Sequence, residues 1–234
     1  MPSPESVFEE LEADRFQRES EIRLLENIIS RTADIDERDA LRRSLVLVTY
    51  AHLEGYCKFA LIAYASAINS LNLPCREAVF PLVASSLSKA FSALRDVNSK
   101  HPSFRAPLPD DRELHLLWRE RQFVENFTAM LDTLVKIPDK LIDTKSNLST
   151  VVLKRNLYQL GLDHTLVEPH AGIINELLNR RNAIAHGDRG TIPEASDALR
   201  FVSSAFSTMA FIQREIYSTL STEAYRRRSA GEAA

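Results

Sequence analysis

Glycine is scarce in this chain, six residues in 234, and the period-two alternation of Val, Ile and Thr that marks strands is almost missing. Hairpins and half-buried strands are hard to place in such a sequence, so the expectation is an all-α protein. Cysteine is scarcer still. Cys57 and Cys75 are too few for a disulfide framework, and neither has His or Cys neighbours at zinc-ligand spacing, so no metal or other cofactor is expected and a reducing cytoplasm fits. Charge of one sign is also missing. A formal net charge of −3 sets up no global field for nucleic acid, so any such contact has to come from a local, salt-sensitive patch. The longest uncharged run, Phe59 to Cys75, is shorter than the roughly 20 apolar residues of a bilayer span and is broken by Ser, Asn and Pro. The opening "MPSPESVFEELEADR" is acidic, without the apolar core of a signal peptide. No membrane association is expected.

What the chain does have is helical periodicity. From Pro4 to about Ser30, Phe8, Leu11, Phe16, Ile22, Leu25, Ile28 and Ile29 recur among charges as in an amphipathic helix. Asp36 to Asp39 opens a second helix that runs to about Leu71, where "NLP" stops it. One or two short helices follow in "REAVFPLVASSLSKAFSALRD". Residues 98–113 and 136–149 are breaks, and "ELHLLWRERQFVENFTAMLDTLV" between them is helical. Ser149 is placed to cap the next helix and Gly161 to end it. Pro169 starts another, and a last helix runs from about Pro193 to Arg228. Residues 1–228 read as a single all-helical domain and 229–234 as a disordered tail.

The second helix is apolar almost all the way round, which puts it in the middle of the fold. Glu54 interrupts it on the stripe of Leu47, Ala51, Leu61 and Ala65. A carboxylate there needs a partner. Lys58, four residues on, is one option, and a basic group on another helix is the other. Tyr50, Tyr56 and Tyr64 recur along the same helix at near-helical spacing and read as packing. Trp118 reads as core or interface, His164 and His170 as incidental, and "YRRR" at 225–228 as a solvated helix end.

A second anomaly stands in "NELLNRRNAIAHGDRG", residues 175–190. On a helical wheel Ile184, Leu177, Ile174, Ala185 and Leu178 form a core-facing arc, and Arg181 falls in its middle. A guanidinium aimed inward cannot lose its proton, so it has to meet an acid or a phosphate. Glu54 is the candidate acid. Asn182 and His186 lie on the opposite, polar side, and His186 diverges from Arg181 by about 140° on an ideal helix. The two converge only if the helix ends near Ala185, as Gly187 in the position after the cap suggests, or if a second copy of the chain supplies the facing residue. Arginine and histidine at this spacing are common by themselves. Arg95 and His101, with five residues between them instead of four, are another such pair, but they run into "HPSFRAPLP", which holds no helix.

The run "RRNAIAHG", an arginine followed after four residues by histidine with a polar residue directly after the arginine, resembles the motif of the HEPN superfamily. "LRRSLVLVTYAHLEGYCKFALIAYA" is similar to the central helix of a bacterial subgroup of stand-alone HEPN ribonucleases, and "NLSTVVLKRNLYQLGLD" adds to the likeness, which spans roughly residues 40–215. The long loop after the third helical region departs from the minimal core of the superfamily. The resemblance implies an antiparallel helical bundle that pairs as a homodimer and cleaves RNA without a metal, giving 2′,3′-cyclic phosphate and 5′-hydroxyl ends. In that scheme His186 is the acid/base group, Arg181 clamps the phosphate, Asn182 orients, and Glu54 holds Arg181. The resemblance also implies a toxin or antiviral defence role with an antitoxin or defence-system partner. Two other readings stay open: a catalytically silent HEPN partner or nucleotide-binding module, and a purely structural helical protein in which Arg181 is a satisfied core residue and His186 a helix cap.

Overall fold

The computed structural model describes residues 2–102, 111–144, 147–188 and 190–227, apart from the side chain of Asp111. Eight α-helices are present among the described residues: α1 (Pro4–Arg31), α2 (Ile35–Ser70), α3 (Phe80–Ser86), α4 (Ser88–Arg95), α5 (Asp111–Asp132), α6 (Thr150–Gln159), α7 (Ala171–Ala185) and α8 (Ala195–Ser221). Short 3-10 turns lie before α3, after α5 and before α7, and no strand is present among the described residues.

α2 is the axis of the bundle and packs against α1, α8, α7 and α6. Its start follows from local chemistry. The Asp34 carboxylate accepts the Glu37 N–H at 2.9 Å, and Asp36 and Glu37 put negative charge on the positive end of the helix dipole. Its end comes where Asn72 takes a left-handed backbone, φ +50°, just before Leu73-Pro74. In between, Leu53, Tyr56, Cys57, Ala60, Tyr64, Ala65 and Ile68 are fully buried, each large side chain contributing about 1.5–3 kcal/mol of apolar burial. By length and composition alone α2 would also pass as a membrane span, yet half of its most apolar window is buried against the other helices, which is the pattern of a core helix. Gly55 lets α1 come close: a side chain there would meet the Arg18 guanidinium, 2.7 Å from where its Cβ would stand.

The structure redraws several expected elements. Val7, Leu11 and Ile22 form the buried line of α1, with Leu25 and Ile29 packed beside it, whereas Phe16 and Ile28 are exposed. Phe16 sits about 150° and Ile28 about 90° round the wheel from the middle of that line. Pro169 lies in the 3-10 turn His164–His170, and α7 starts two residues later. α8 ends at Ser221 instead of Arg228. Glu223 turns the chain with φ +53°, Tyr225 inserts into the core at 5% exposure, and Arg226 pairs with Glu77 at 2.8 Å and with Glu223 at 2.9 Å. The "YRRR" segment is thus tied down as far as residue 227, not a solvated helix end. Trp118 is half-exposed on α5, edge-on to His101. The expected tail, residues 229–234, and residues 103–110, half of the first break, lie outside the described residues.

Two features of the fold position the candidate site. The segment before α6 is anchored from both sides: Leu148 N–H donates to the Tyr50 hydroxyl, and the Thr150 hydroxyl and N–H both reach the Asn175 side-chain oxygen of α7 at 3.0 Å. Ser149 caps α6 through the Val152 N–H, and Gly161 ends it with φ +70°, as the sequence suggests.

Candidate functional site

Arg181 leaves α7 on the side that faces α2, and α2 presents two residues to it one turn apart. The Arg181 Nη2 lies 3.6 Å from the Glu54 Oε2, both side chains about one-fifth exposed. Its Cζ lies 4.0 Å from the centroid of the Tyr50 ring, a stacked cation–π geometry that is stronger away from bulk water. Glu54 therefore meets the basic group of another helix. Lys58 is exposed, and among the described residues it forms no ion pair with Glu54. The guanidinium is held on two sides, with about one-fifth of the side chain exposed.

Tyr50 was expected only to pack. It is 1% exposed, and its acidity is weakened, its pKa pushed up by burial and by the nearby Glu54 charge, with Arg181 and the Leu148 N–H pulling the other way. The ring thus works as a neutral platform whose hydroxyl fixes the 147–149 segment while its face carries Arg181. The available signal was the i,i+4 relation of Tyr50 to Glu54 on one helix face. Tyr56, the other tyrosine near Glu54 in sequence, is fully buried and lies among the charges of Asp14, Arg15 and Glu19 of α1.

His186 occupies the C-cap of α7. Its own N–H donates to the Asn182 carbonyl at 2.9 Å, the Gly187 N–H returns to Ile184 at 3.1 Å, and the Asp188 N–H to Ala183 at 3.0 Å. This closure requires the left-handed Gly187, φ +87°. The helix ends at Ala185, the first of the two conditions for His186 to leave the wheel of Arg181. The His186 side chain is exposed, and among the described residues it makes no hydrogen bond, ion pair or ring contact. Asn182 is half-buried between the two. Asp188 then stiffens the following turn by accepting the Gly190 N–H at 2.9 Å and the Thr191 hydroxyl at 2.5 Å. These bonds, with Arg43 nearby, hold its carboxyl below the usual range. Arg189 lies outside the described residues.

A groove of about 570 Å³ opens beside this turn, lined by Asp36, Arg43 and Leu47 of α2, Ile184 of α7 and Ile192 of the following loop. It continues the α2 stripe of Glu54 and Tyr50 towards the start of the helix. The structure therefore brings Glu54, Tyr50 and Arg181 into contact and puts His186 at the open end of the same helix. The Arg95–His101 pair is excluded, because α4 ends at Arg95. Among the described residues no three His, Cys, Asp or Glu side chains gather as a metal group would.

The family model RiboL-PSP-HEPN matches residues 13–218. The chain belongs to this HEPN family. No curated protein and no solved structure matches it. The HEPN match takes in α1 to α8 almost whole and includes Glu54, Arg181, Asn182 and His186. It is wider than the resemblance read from the motifs, because it includes the second half of α1, whose charged surface carries no motif.

Proposed function

We propose that this HEPN protein is a metal-independent endoribonuclease. The observation that carries the reading is the pairing of a braced, partly open Arg181 with an unencumbered His186 at the end of the same helix. RNA supplies its own nucleophile. The 2′-oxygen attacks phosphorus, the P–O5′ bond breaks, and the 2′-hydroxyl proton ends on the 5′ oxygen, with the His186 imidazole as a carrier in that transfer. Arg181 stabilises the charge that builds on the phosphoryl oxygens. The products are a 2′,3′-cyclic phosphate and a 5′-hydroxyl. Asn182 orients the backbone or the phosphate between them, and Glu54 holds Arg181 without neutralising it by proton transfer.

Arg181 faces α2 and His186 faces out, so the reading includes a homodimer in which the histidine of each subunit reaches a phosphate held by the arginine of the other. An exposed His186 supports the enzyme over a purely structural role, in which packing would enclose it. A cytoplasmic toxin or antiviral effector, restrained by an antitoxin or defence-system partner, is the biological setting of this reading.

The test is to incubate wild type, Arg181→Ala and His186→Ala with mixed RNA in EDTA and to map the ends. Cleavage by wild type alone, with cyclic phosphate ends, is expected. Cleavage that survives in both variants refutes the site, and a wild type that binds RNA without cutting it favours the silent HEPN partner.

A further inference from the structure

α2 carries a second pair of arginines away from the Arg181 site. Arg38 and Arg42, one turn apart, line a pocket of about 310 Å³ together with Glu26 of α1, Leu45, and Ala198 and Leu199 of α8. Arg42 is engaged by Asp39 at 3.0 Å. Arg38 is not engaged in this way. It is half-buried, its Nε is closed off from solvent with no acceptor, and among the described residues no carboxylate pairs with it. A guanidinium keeps its proton wherever it is placed, and burying one without a counter-charge is unfavourable. An arginine left so beside a pocket is suited to an anion that arrives from outside.

The rest of the pocket agrees. The first turn of the 27-residue α8 borders it, and the N-cap residue Glu194 makes no side-chain capping bond there. Its unsatisfied N–H groups add to the positive potential. Asp197, the acid of that turn, is drawn off by Arg200 at 3.1 Å. The terminal nitrogens of Arg38, the Arg42 donors that Asp39 does not take and a helix start together offer more donors than a carboxylate can accept and suit the three outer oxygens of a phosphate. Leu45 and Leu199 give an apolar wall. Glu26 lies among them, its carboxyl pushed up by burial, as a group able to bond hydroxyls. The volume is at the small end of ligand sites.

We propose that this pocket binds a small phosphorylated molecule of sugar-phosphate size, its phosphomonoester between Arg38, Arg42 and the start of α8 and its hydroxyl-bearing body against Glu26 and Leu199. The site is separate from the Arg181 centre and does not depend on RNA cleavage.

Calorimetry on the full chain tests it, with ribose 5-phosphate, inorganic phosphate and ribose as probes. Saturable binding of ribose 5-phosphate, weaker binding of phosphate and none of ribose are expected. Arg38→Gln and Arg42→Gln should each weaken ribose 5-phosphate by about tenfold or more, the loss of charged hydrogen bonds. Arg38→Gln removes an unpaired cation, so its Tm should equal or exceed that of wild type. If that variant fails to fold, the wild-type Tm serves instead: ribose 5-phosphate should raise it and ribose should not. Absence of saturable binding or of a Tm shift with ribose 5-phosphate, or equal affinity in folded Arg38→Gln, overturns the proposal. A 5′-phosphorylated oligoribonucleotide that outcompetes ribose 5-phosphate would give the site to an RNA end and also overturn it.

Discussion

Arg181 stacks on Tyr50, its guanidinium carbon 4.0 Å from the ring centroid, while the hydroxyl of the same tyrosine accepts the Leu148 N–H. One ring thus joins Arg181 to the segment before α6. Tyr50→Phe keeps the stack and orphans a buried N–H, so it should cost about 1–3 kcal/mol in urea unfolding. Tyr50→Ala should cost about 3–5 kcal/mol through the cavity it leaves. If Tyr50→Ala proves as stable as wild type, the platform role is wrong.

Glu54→Gln removes the carboxylate that faces Arg181 at 3.6 Å. Both groups are partly solvated, so the expected loss is about 1–2 kcal/mol, less than for a fully buried pair. A double-mutant cycle with Arg181→Met isolates the coupling. Zero coupling would mean that the two groups are merely neighbours.

Composite sites make a sharp prediction about mixed dimers. Arg181→Ala and His186→Ala subunits, each inactive alone, should recover about one quarter of wild-type activity when co-expressed, since half the dimers are mixed and each carries one complete site. Recovery of nothing would place both residues of a site on one chain.

Gly187→Ala should destabilise by about 1 kcal/mol, because a left-handed backbone disfavours a Cβ even where space is open, as it is around Gly187. RNA cleavage should fall further than stability does, as the cap that presents His186 shifts. Hydrogen exchange at the Asp188 amide, which reports that cap, is the accompanying measurement.

His52 gives a pH dependence of known sign. Burial lowers its pKa in the fold, opposed by Glu21 at 3.1 Å and assisted by Arg18. The unfolded chain therefore binds the proton more tightly. The contribution of His52 is whole above its unfolded value of about 6.5 and is lost as pH falls through the folded pKa. His52→Gln should flatten the decline in stability below about pH 6.5. An unchanged slope would assign that decline to other groups.

The parts of this fold that were legible in the sequence are those set by local chemistry. Ser149 before α6 and Gly187 after α7 carry their geometry in their own side chains or lack of one, and Asp36 marked the acidic first turn of α2 although the capping carboxylate is that of Asp34. Arg181 pointing inward, and Glu54 standing on an apolar stripe in need of a partner, followed from the wheel of each helix taken alone, while the choice between Lys58 and Arg181 as that partner stayed open until α7 was seen against α2. Tyr50 did not follow from its wheel, since its task depends on where α7 crosses α2. The end of α8 was missed because its helical periodicity continues past Ser221, while the burial of Tyr225 and the pairing of Arg226 with Glu77 overrule it. Phe16 and Ile28 were misplaced because a helix of 28 residues offers more apolar side chains than its buried face has room for.

His186 belongs to the surface of the cap and supports no neighbour. Replacing it should change stability by no more than about 0.5 kcal/mol, whereas Tyr50 and Arg181 are built into the bundle. Under the proposed reading the reaction is detachable from the architecture: one substitution at His186 retires the catalyst and leaves an intact scaffold, with Arg181 still braced in it, free for service as an adaptor.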